Sequence, residues 1–514
     1  MAKSWTFYGS YFIFTILISL DSYSSMMPNF CPTYMSFVFN ATEFPSEDYY
    51  DYIVVGGGTA GCPLAATLSD KYRVLLLERG VVPYGRPNLI TQQGFLTVLT
   101  DGVPNARGRI LGGSSGINAG FYSRADQDFY TSSRINWDLK VVNQSYEWVE
   151  KAIVFRPELK SWQSAVRDGL VEAGIDLFNG FSLDHVIGTK IGGSTFDRSG
   201  RRHSAADLLR YANPSNIQVA VYASMERILL APSPHYSSSK QAAIGVVFRD
   251  QSGPYHHAMV RGKGEVLVSA GALGSPQLLL LSGVGPRPYL FTWGIPVAHH
   301  LPYVGKFLFD NPKNGITIVP PMPLEHSLIQ VVGITNSGAY LEAASNVIPF
   351  ASPDNSVFLR TFPSPISLTV ATLMEKIIGP VSSGSLRLGS TDRCVNGTRK
   401  IADVLKTRTM EIFKFDQWFG GRDFRYIGPA LPVDESNDEL MREFCHQTVT
   451  TIWHYHGGCV VGKVVDQNLR VLGIDGLRIV DGSVFRVSPG TNPQATLLML
   501  GRYVGMMMLR ERFG

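Results

Sequence analysis

Charge is scarce in this chain. Asp, Glu, Lys and Arg make up 17% of its 514 residues, against roughly 25% in an average globular protein. With 45% hydrophobic and 11% aromatic residues it has the material for a large core, which excludes an intrinsically disordered chain. A dense basic patch is also missing. Forty-six Lys and Arg against 42 Asp and Glu leave +4, and nothing is more clustered than Arg198, Arg201 and Arg202, so nucleic acid is not an expected partner. Apolar runs are short: Tyr11–Leu20 falls well below the roughly 18 residues of a membrane span, and Arg502 interrupts Thr496–Leu509. No stable membrane span is expected. Five cysteines in a chain of this length exclude a small disulfide-stapled scaffold and are odd in number, so at least one is free or pairs outside the chain. At roughly 150 residues per domain, the length allows about three domain-sized units.

At the N-terminus, Lys3, the apolar run and the small residues Ser22, Ser24 and Ser25 read as a secretory signal peptide over residues 1–25. A short buried helix would look the same. Sequons at Asn40, Asn143 and Asn396 agree with a secreted, extracellular or endomembrane route and a glycoprotein, although such triplets also arise by chance. Cys394 and Cys445 are the candidate disulfide for an oxidising compartment, with two buried thiols as the alternative.

The pattern along the chain is of α/β type. Tyr50–Val55 is an apolar strand, Gly56–Gly61 a glycine turn, Cys62–Leu68 the start of a helix, and Arg73–Leu77 a second apolar strand ending at Glu78. Continuous apolar runs of this kind mark parallel strands covered on both faces. Helical periodicity follows around Tyr146–Phe155 and Trp162–Ala173. Four short strands, Val219–Ala223, Ala243–Phe248, His257–Val260 and Val266–Ser269, suggest an antiparallel meander with a turn at Gln251–Pro254. Leu278–Leu281 is placed in a short helix, and Pro320–Pro365 shows few clear elements.

Gly56, Gly58 and Gly61 form G-x-G-x-x-G between strand and helix, and Glu78 closes the next strand. Glycines there let backbone N–H groups approach a pyrophosphate at the positive end of a helix, and the acid can accept from a ribose diol. The strand-turn-helix context favours dinucleotide binding over a mere tight turn. These residues alone leave NAD and FAD open.

A second glycine loop runs from Gly108 through Arg109, Gly112, Gly113, Ser114, Gly116 and Asn118 to Gly120. A third motif combines Gly271, Ala272, Ser275 and Pro276 with Ser282–Gly285, and a fourth group comprises Trp453, His454, Tyr455, His456, Gly457, Gly458, Asp481, Gly482, Asn492, Pro493 and Gln494. In this order they resemble the glucose-methanol-choline (GMC) oxidoreductase family, specifically its plant mandelonitrile lyase-like and HOTHEAD-like branch.

The resemblance implies a discontinuous Rossmann-type FAD-binding domain, residues 45–140, 200–290 and 455–514. It also implies an inserted α+β substrate domain on an antiparallel sheet, residues 141–199 and 291–454. FAD is the implied cofactor, noncovalent because no histidine lies in the Gly108–Gly120 loop. Its contacts are expected from Gly56, Gly58, Thr59, Ala60, Gly61, Glu78, Arg79, Arg109, Gly113, Ser114, Asn118, Ala119, Gly120, Phe121 and Met225. Further contacts are expected from Trp453, His454, Asp481, Gly482, Asn492, Pro493 and Gln494.

The family pattern selects His454 over His456 as the catalytic base, with hydride passing from an alcohol to flavin N5. Asn492 stands where the family has His or Asn. It also suits an N-cap before Pro493, and both roles can hold together. In the lyases of this branch a second His occupies that position, and a Cys and a Tyr touch the substrate. Here no Cys lies between Cys62 and Cys394, and Ile452 stands at the tyrosine's place.

Asn cannot exchange a proton as His can, so an FAD-dependent alcohol oxidoreductase is expected ahead of a cyanohydrin-cleaving (R)-mandelonitrile lyase with non-redox FAD. The small-molecule partner is an alcohol or a cyanohydrin. The stretches Thr97–Gly102 and Ser390–Cys394 are shorter than in the family, which keeps a truncated, weakly active flavin-binding protein as a third reading. The oligomeric state is left open.

Overall fold

The apolar run at Tyr50–Val55 is the central strand of a sheet that organises the first half of the molecule. The computed structural model describes residues 32–86, 90–91, 107–233, 240–347, 369–377, 391–417, 420–490 and 492–513. The expected signal peptide, Cys31, the shortened stretch at 97–102 and Ser390 lie outside these residues.

Strand Glu47–Val55 pairs in parallel with Val74–Glu78, which pairs in parallel with Ile217–Val221, and Val38–Asn40 follows at the edge. On its other side lies Tyr255–Val268, also parallel, with Leu477–Ile479 beyond. Gln241–Arg249 and Ser224–Pro232 then extend the sheet in antiparallel fashion. Two expectations are corrected here. Val219–Ala223 does not open the meander: its first residues complete the parallel layer, because strands buried on both faces and partly covered strands look alike over five residues. His257–Val260 and Val266–Ser269 are parts of one long strand, interrupted by a register irregularity between Val260 and Glu265.

Helix Gly61–Leu68 packs on this sheet with every residue buried. The C-terminal helix Gln494–Phe513 crosses over it. The crossing is close because of glycine: a Cβ at Gly501 would sit 2.1 Å from the Ala60 carbonyl oxygen, and one at Gly505 would sit 2.7 Å from the Thr67 Cβ. Helix Leu139–Ile153 adds Val142, Tyr146, Val149 and Ile153 to the same core. The assignment of residues from 141 onward to the substrate unit therefore does not extend to this helix.

The second unit is built on an eight-stranded sheet. Its path runs Arg425–Ile427, Pro312–Val319, Ala371–Ile377, Ala339–Ser345, Val331–Ile334, Gly188–Ile191 and Phe178–Phe181, with Thr450–Thr451 pairing beside Pro312–Lys313. All neighbours are antiparallel except the last pair. The Val331–Ile334 and Ala339–Ser345 strands lie where the sequence showed few elements. Both are wholly buried, so they lack the polar alternation that reveals a half-exposed strand.

Side chains alternate across such a sheet. One face, carrying Ile316, Leu341, Ala343 and Leu373, packs on helices Ser161–Glu172 and Thr391–Lys406. The other, carrying Tyr340, Ala344 and Met374, packs with Phe121, Phe196 and Trp453 toward the first unit. Cys394 and Cys445 form the expected disulfide, Cα atoms 6.4 Å apart, joining helix Thr391–Lys406 to helix Asp438–Thr448. Asn143 and Asn396 are exposed, and Asn40 caps a short helical turn through its own amide oxygen. No helix among the described residues is long and apolar enough to cross a membrane.

The close approach at Gly501 is testable. In Gly501→Ala the added methyl meets a backbone oxygen that cannot move aside, so helix Gln494–Phe513 must shift away from the glycine turn. Purified protein should then retain less bound cofactor per chain, read as the ratio of visible to ultraviolet absorbance, and unfold at lower temperature. An unchanged ratio and melting point would show that the helix has room to spare.

Candidate functional site

The expected site residues converge on one cavity of about 530 Å³ between the two units. Its floor is the glycine turn. Gly56 sits at φ +104°, where a Cβ would lie 2.4 Å from the Ser269 carbonyl oxygen, so only glycine fits there. The second glycine loop lies against the first: a Cβ on Gly113 would come within 2.7 Å of Gly58 Cα, and Gly112 N donates to Gly57 O at 2.7 Å. Beside the turn, helix Gly61–Leu68 presents its positive end.

Glu78 accepts from Gly57 N at 3.0 Å and from Gly80 N at 2.7 Å. Burial pushes its carboxyl up to about 7, opposed by these N–H groups and the nearby Arg79 and Arg109 charges.

Of the expected cofactor residues, Gly56, Gly58, Thr59, Ala60, Glu78, Arg79, Gly113, Ser114, Asn118, Ala119, Gly120, Phe121 and Met225 line the cavity. So do Trp453, His454, Asp481, Gly482, Asn492, Pro493 and Gln494. Two do not. Arg109 is exposed on the outside of its loop, and Arg107 lines the cavity instead. Gly61 lies behind the turn, where a Cβ would fall 2.0 Å from the Gly56 carbonyl oxygen. Its role is to let helix and strand touch.

The loop and the C-terminal helix are joined directly. Asn118 Nδ2 donates to Gln494 Oε1 at 2.5 Å, while Asn118 Oδ1 accepts from Gly120 N and from the buried Arg202 guanidinium. Asp481 is likewise fastened: its carboxylate accepts from Gly271 N at 2.8 Å, Ser483 N at 2.8 Å and the Ser275 hydroxyl. The three sequence motifs that were far apart are thus bonded to one another around the cavity.

At the other end stands His454. Its backbone N–H donates to Asp310 Oδ1 at 2.8 Å, and the Thr451 hydroxyl donates to the same carboxylate. Between them Trp453 is held at φ +60°, a left-handed conformation that costs a bulky residue about 1–3 kcal/mol. Its N–H donates to Thr451 Oγ1 at 2.9 Å. This grip sets the imidazole at the cavity wall. Asn311 Nδ2 contacts His454 Nδ1 at 3.3 Å and donates to Ser488 Oγ at 3.1 Å.

Burial, then the charges of Lys376 and His456, holds the His454 pKa well below the usual histidine value, so the ring is neutral near pH 7. His456 is fully enclosed, pushed down to about 4 by burial, and its Nδ1 lies 3.1 Å from the His454 carbonyl oxygen. It does not line the cavity. Among the cavity-lining residues described, His454 is the single imidazole.

Asn492 lines the same cavity as His454, and its Oδ1 accepts from Lys376 Nζ at 2.8 Å. Asp310, Asn311, Lys376, Thr451 and Ser488 escaped the sequence reading. Each acts through a contact with a residue distant in the chain or in a turn, and no local spacing reveals them. Asp310–Asn311 directly before an apolar strand was the one available hint.

The sequence matches the GMC oxidoreductase family over residues 50–313 and again over 384–501. Among curated proteins it is 64% identical to the "(R)-mandelonitrile lyase-like" protein of Arabidopsis thaliana, covering 94% of this chain and 93% of that one. It is 46% identical to (R)-mandelonitrile lyase 1 of Prunus serotina, covering 93% and 90%. With "Sinalpyl alcohol oxidase Nec3" of Nesocodon mauritianus it shares 43% identity over 98% and 96%. The fold is similar to that of Aspergillus oryzae formate oxidase, with a TM-score of 0.72 at 19% identity, covering 91% of this chain and 99% of the other. The strand-turn-helix cradle, the bonded motifs and these matches together establish that the chain belongs to the FAD-binding, α/β GMC oxidoreductase family.

Proposed function

We propose that the chain oxidises a primary alcohol carried on an apolar, preferably aromatic, skeleton, with His454 as the base and Asn492 as a hydrogen-bond donor to the substrate oxygen. The observation that carries this reading is that His454, neutral, is the one imidazole among the cavity-lining residues described, with the Asn492 amide in the same wall where the lyases of this branch carry a second ring. A ring that takes a proton and an amide that cannot are sufficient for deprotonating a hydroxyl, whereas moving protons at two positions calls for two bases.

The cradle fits FAD. The Gly56–Gly58 turn and the start of helix Gly61–Leu68 would hold its pyrophosphate, Glu78 its ribose, and Asn118–Phe121 with Asn492–Gln494 its ring system. When bound, FAD supplies the acceptor for the hydride leaving the alcohol carbon.

The chain's own residues do the rest. Phe121, Ile329, Ile452, Trp453 and Tyr455 line the cavity and exclude water from the reacting carbon. His454 takes the hydroxyl proton at Nε2. As the amide stands, Asn311 Nδ2 makes Nδ1 the acceptor, which places the ring proton on Nε2. Turning the planar Asn311 amide over brings its oxygen to Nδ1 and so favours the other tautomer, reached by proton exchange with water before substrate binds, with the ring proton on Nδ1 and Nε2 left to accept. The Ser488 hydroxyl, able to donate or accept, suits both orientations.

The second reading is cyanohydrin cleavage, favoured by the names of the relatives at 64% and 46% identity. Against it stand Asn492 in place of a second ring and Ile452 in place of a tyrosine.

Three experiments follow. Without oxygen, coniferyl or benzyl alcohol should bleach the yellow holoenzyme. His454→Ala should slow bleaching by a factor of about 100 or more while leaving the colour. Cyanide released from mandelonitrile with no bleaching by any alcohol would select the lyase instead.

Asp310→Ala removes the acceptor that holds the His454 backbone, so turnover should fall about 10–100-fold with cofactor content unchanged. Normal turnover would remove Asp310 from the site.

The pH profile of kcat/KM is also diagnostic. The depressed pKa keeps His454 unprotonated as pH falls through 6.5, so its acid limb should appear only well below that value. Asn311→Asp, placing a carboxylate at Nδ1, favours the protonated ring and should move this limb upward by roughly one to three units. A limb that stays put would show that Asn311 does not govern the ring.

A further inference from the structure

Three lysines lie buried on the cavity-side face of the substrate sheet. Lys313 opposes Lys376, which opposes Tyr340. On the neighbouring pairs, Lys190 opposes Val332 and Val332 opposes Glu342. Residues opposite one another share a face, so Lys190, Lys313, Tyr340, Glu342 and Lys376 stand together. Lys376 is the one that reaches the site. Its side chain is 1% exposed and that of Glu342 is 0% exposed, with Nζ 2.7 Å from Glu342 Oε1, 4.0 Å from the Tyr340 ring centre and 2.8 Å from Asn492 Oδ1.

A buried ammonium and carboxylate cost several kcal/mol each to desolvate. Packing alone does not require them, since a sheet of this kind is filled by Leu, Val and Met elsewhere. The contact with Asn492 supplies a reason. An ammonium has three donors and no acceptor. Whatever atom of a side-chain amide faces it must be the oxygen, and the amide cannot turn over without setting NH2 against NH3⁺. Lys376 itself does not line the cavity, whereas Asn492 does.

We propose that the Glu342–Lys376 pair is a positioning device that locks the Asn492 amide with its oxygen turned away from the cavity and its NH2 turned inward. The site therefore meets the substrate oxygen with a donor and never with an acceptor. Glu342 fixes the ammonium, the ammonium fixes the amide, and the amide is matched to an oxygen whose negative charge grows as His454 removes its proton. A free amide would spend part of its time in the opposite orientation, offering a lone pair where the alkoxide forms. The inference deepens the reading of the cavity as a site of alcohol oxidation and rests on it for the identity of the oxygen.

The test is equilibrium binding to the holoenzyme, followed by calorimetry. Acetophenone carries a carbonyl oxygen that only accepts, and ethylbenzene has a similar skeleton without it. The ratio of their dissociation constants measures how well the cavity donates to oxygen.

Lys376→Met alone would strand the Glu342 carboxylate, so the pair is replaced as a unit by Glu342→Leu with Lys376→Met, a change buried pairs often tolerate. The preference for acetophenone should fall about tenfold in this variant and by a similar factor in Asn492→Ala. Combining all three substitutions should lower it no further. Lys376→Arg, which still donates to the amide oxygen, should keep most of it. Asn492→Asp leaves both buried partners in place but has no NH2, and should lose it.

Additive losses in the combined variant would overturn the proposal, as would an unchanged preference in the pair variant or in Asn492→Asp. Binding needs no turnover. A holoenzyme that no alcohol bleached would sink the oxidation reading while leaving this measurement interpretable.

Discussion

The architecture depends on backbone meeting backbone at distances no side chain permits. Gly61 abuts the Gly56 carbonyl, Gly113 abuts Gly58, and Gly501 abuts the carbonyl of Ala60. These contacts draw separate segments of the chain onto one turn, so that the turn before helix Gly61–Leu68, the Gly108–Gly120 loop and the start of helix Gln494–Phe513 share one cavity. Close packing leaves little slack for compensation. A methyl group at any of these positions displaces a whole element rather than a side chain.

Around that anchor the two units contribute different chemistry. The parallel sheet supplies N–H groups, a helix end and an acid, a surface suited to a charged, extended ligand. The antiparallel sheet supplies apolar bulk on one face and buried lysines on the other. His454 lies at the seam, its backbone gripped by Asp310 from the end of strand Lys306–Phe309 and its ring kept neutral by enclosure and neighbouring positive charge. Asn492 comes from the opposite side of the seam and meets Lys376 from the sheet. The His454 imidazole and the Asn492 amide thus reach the cavity from separate elements, and their spacing is set by how those elements dock.

How much of this the sequence discloses follows from the range of each interaction. The βαβ unit was legible because its signals are local: an apolar run, glycines at fixed offsets, an acid 20 residues beyond Gly58. His454 and Asn492 were singled out through motif resemblance and both line the cavity, and the Cys394–Cys445 link was legible through the compartment argument. The strands Val331–Ile334 and Ala339–Ser345 were not, because wholly buried strands carry no alternation. Arg107 rather than Arg109 lines the cavity, because the glycines of that loop say where the backbone bends but not which neighbour points inward. Asp310, Asn311 and Lys376 stayed hidden for a plainer reason: each becomes meaningful only against a partner more than 100 residues away.

The disulfide has a consequence for the cavity wall. Cys445 lies in the helix that runs out at Thr448, and two residues later the chain enters Thr450–Thr451 and the gripped turn at Trp453–His454. His454 therefore hangs from a covalent tether only nine residues upstream, with the far end of that tether sunk in helix Thr391–Lys406. A cell compartment that keeps thiols reduced would deliver the same sequence with the same glycine cradle, but with the His454 ring at the cavity wall moored by noncovalent forces alone.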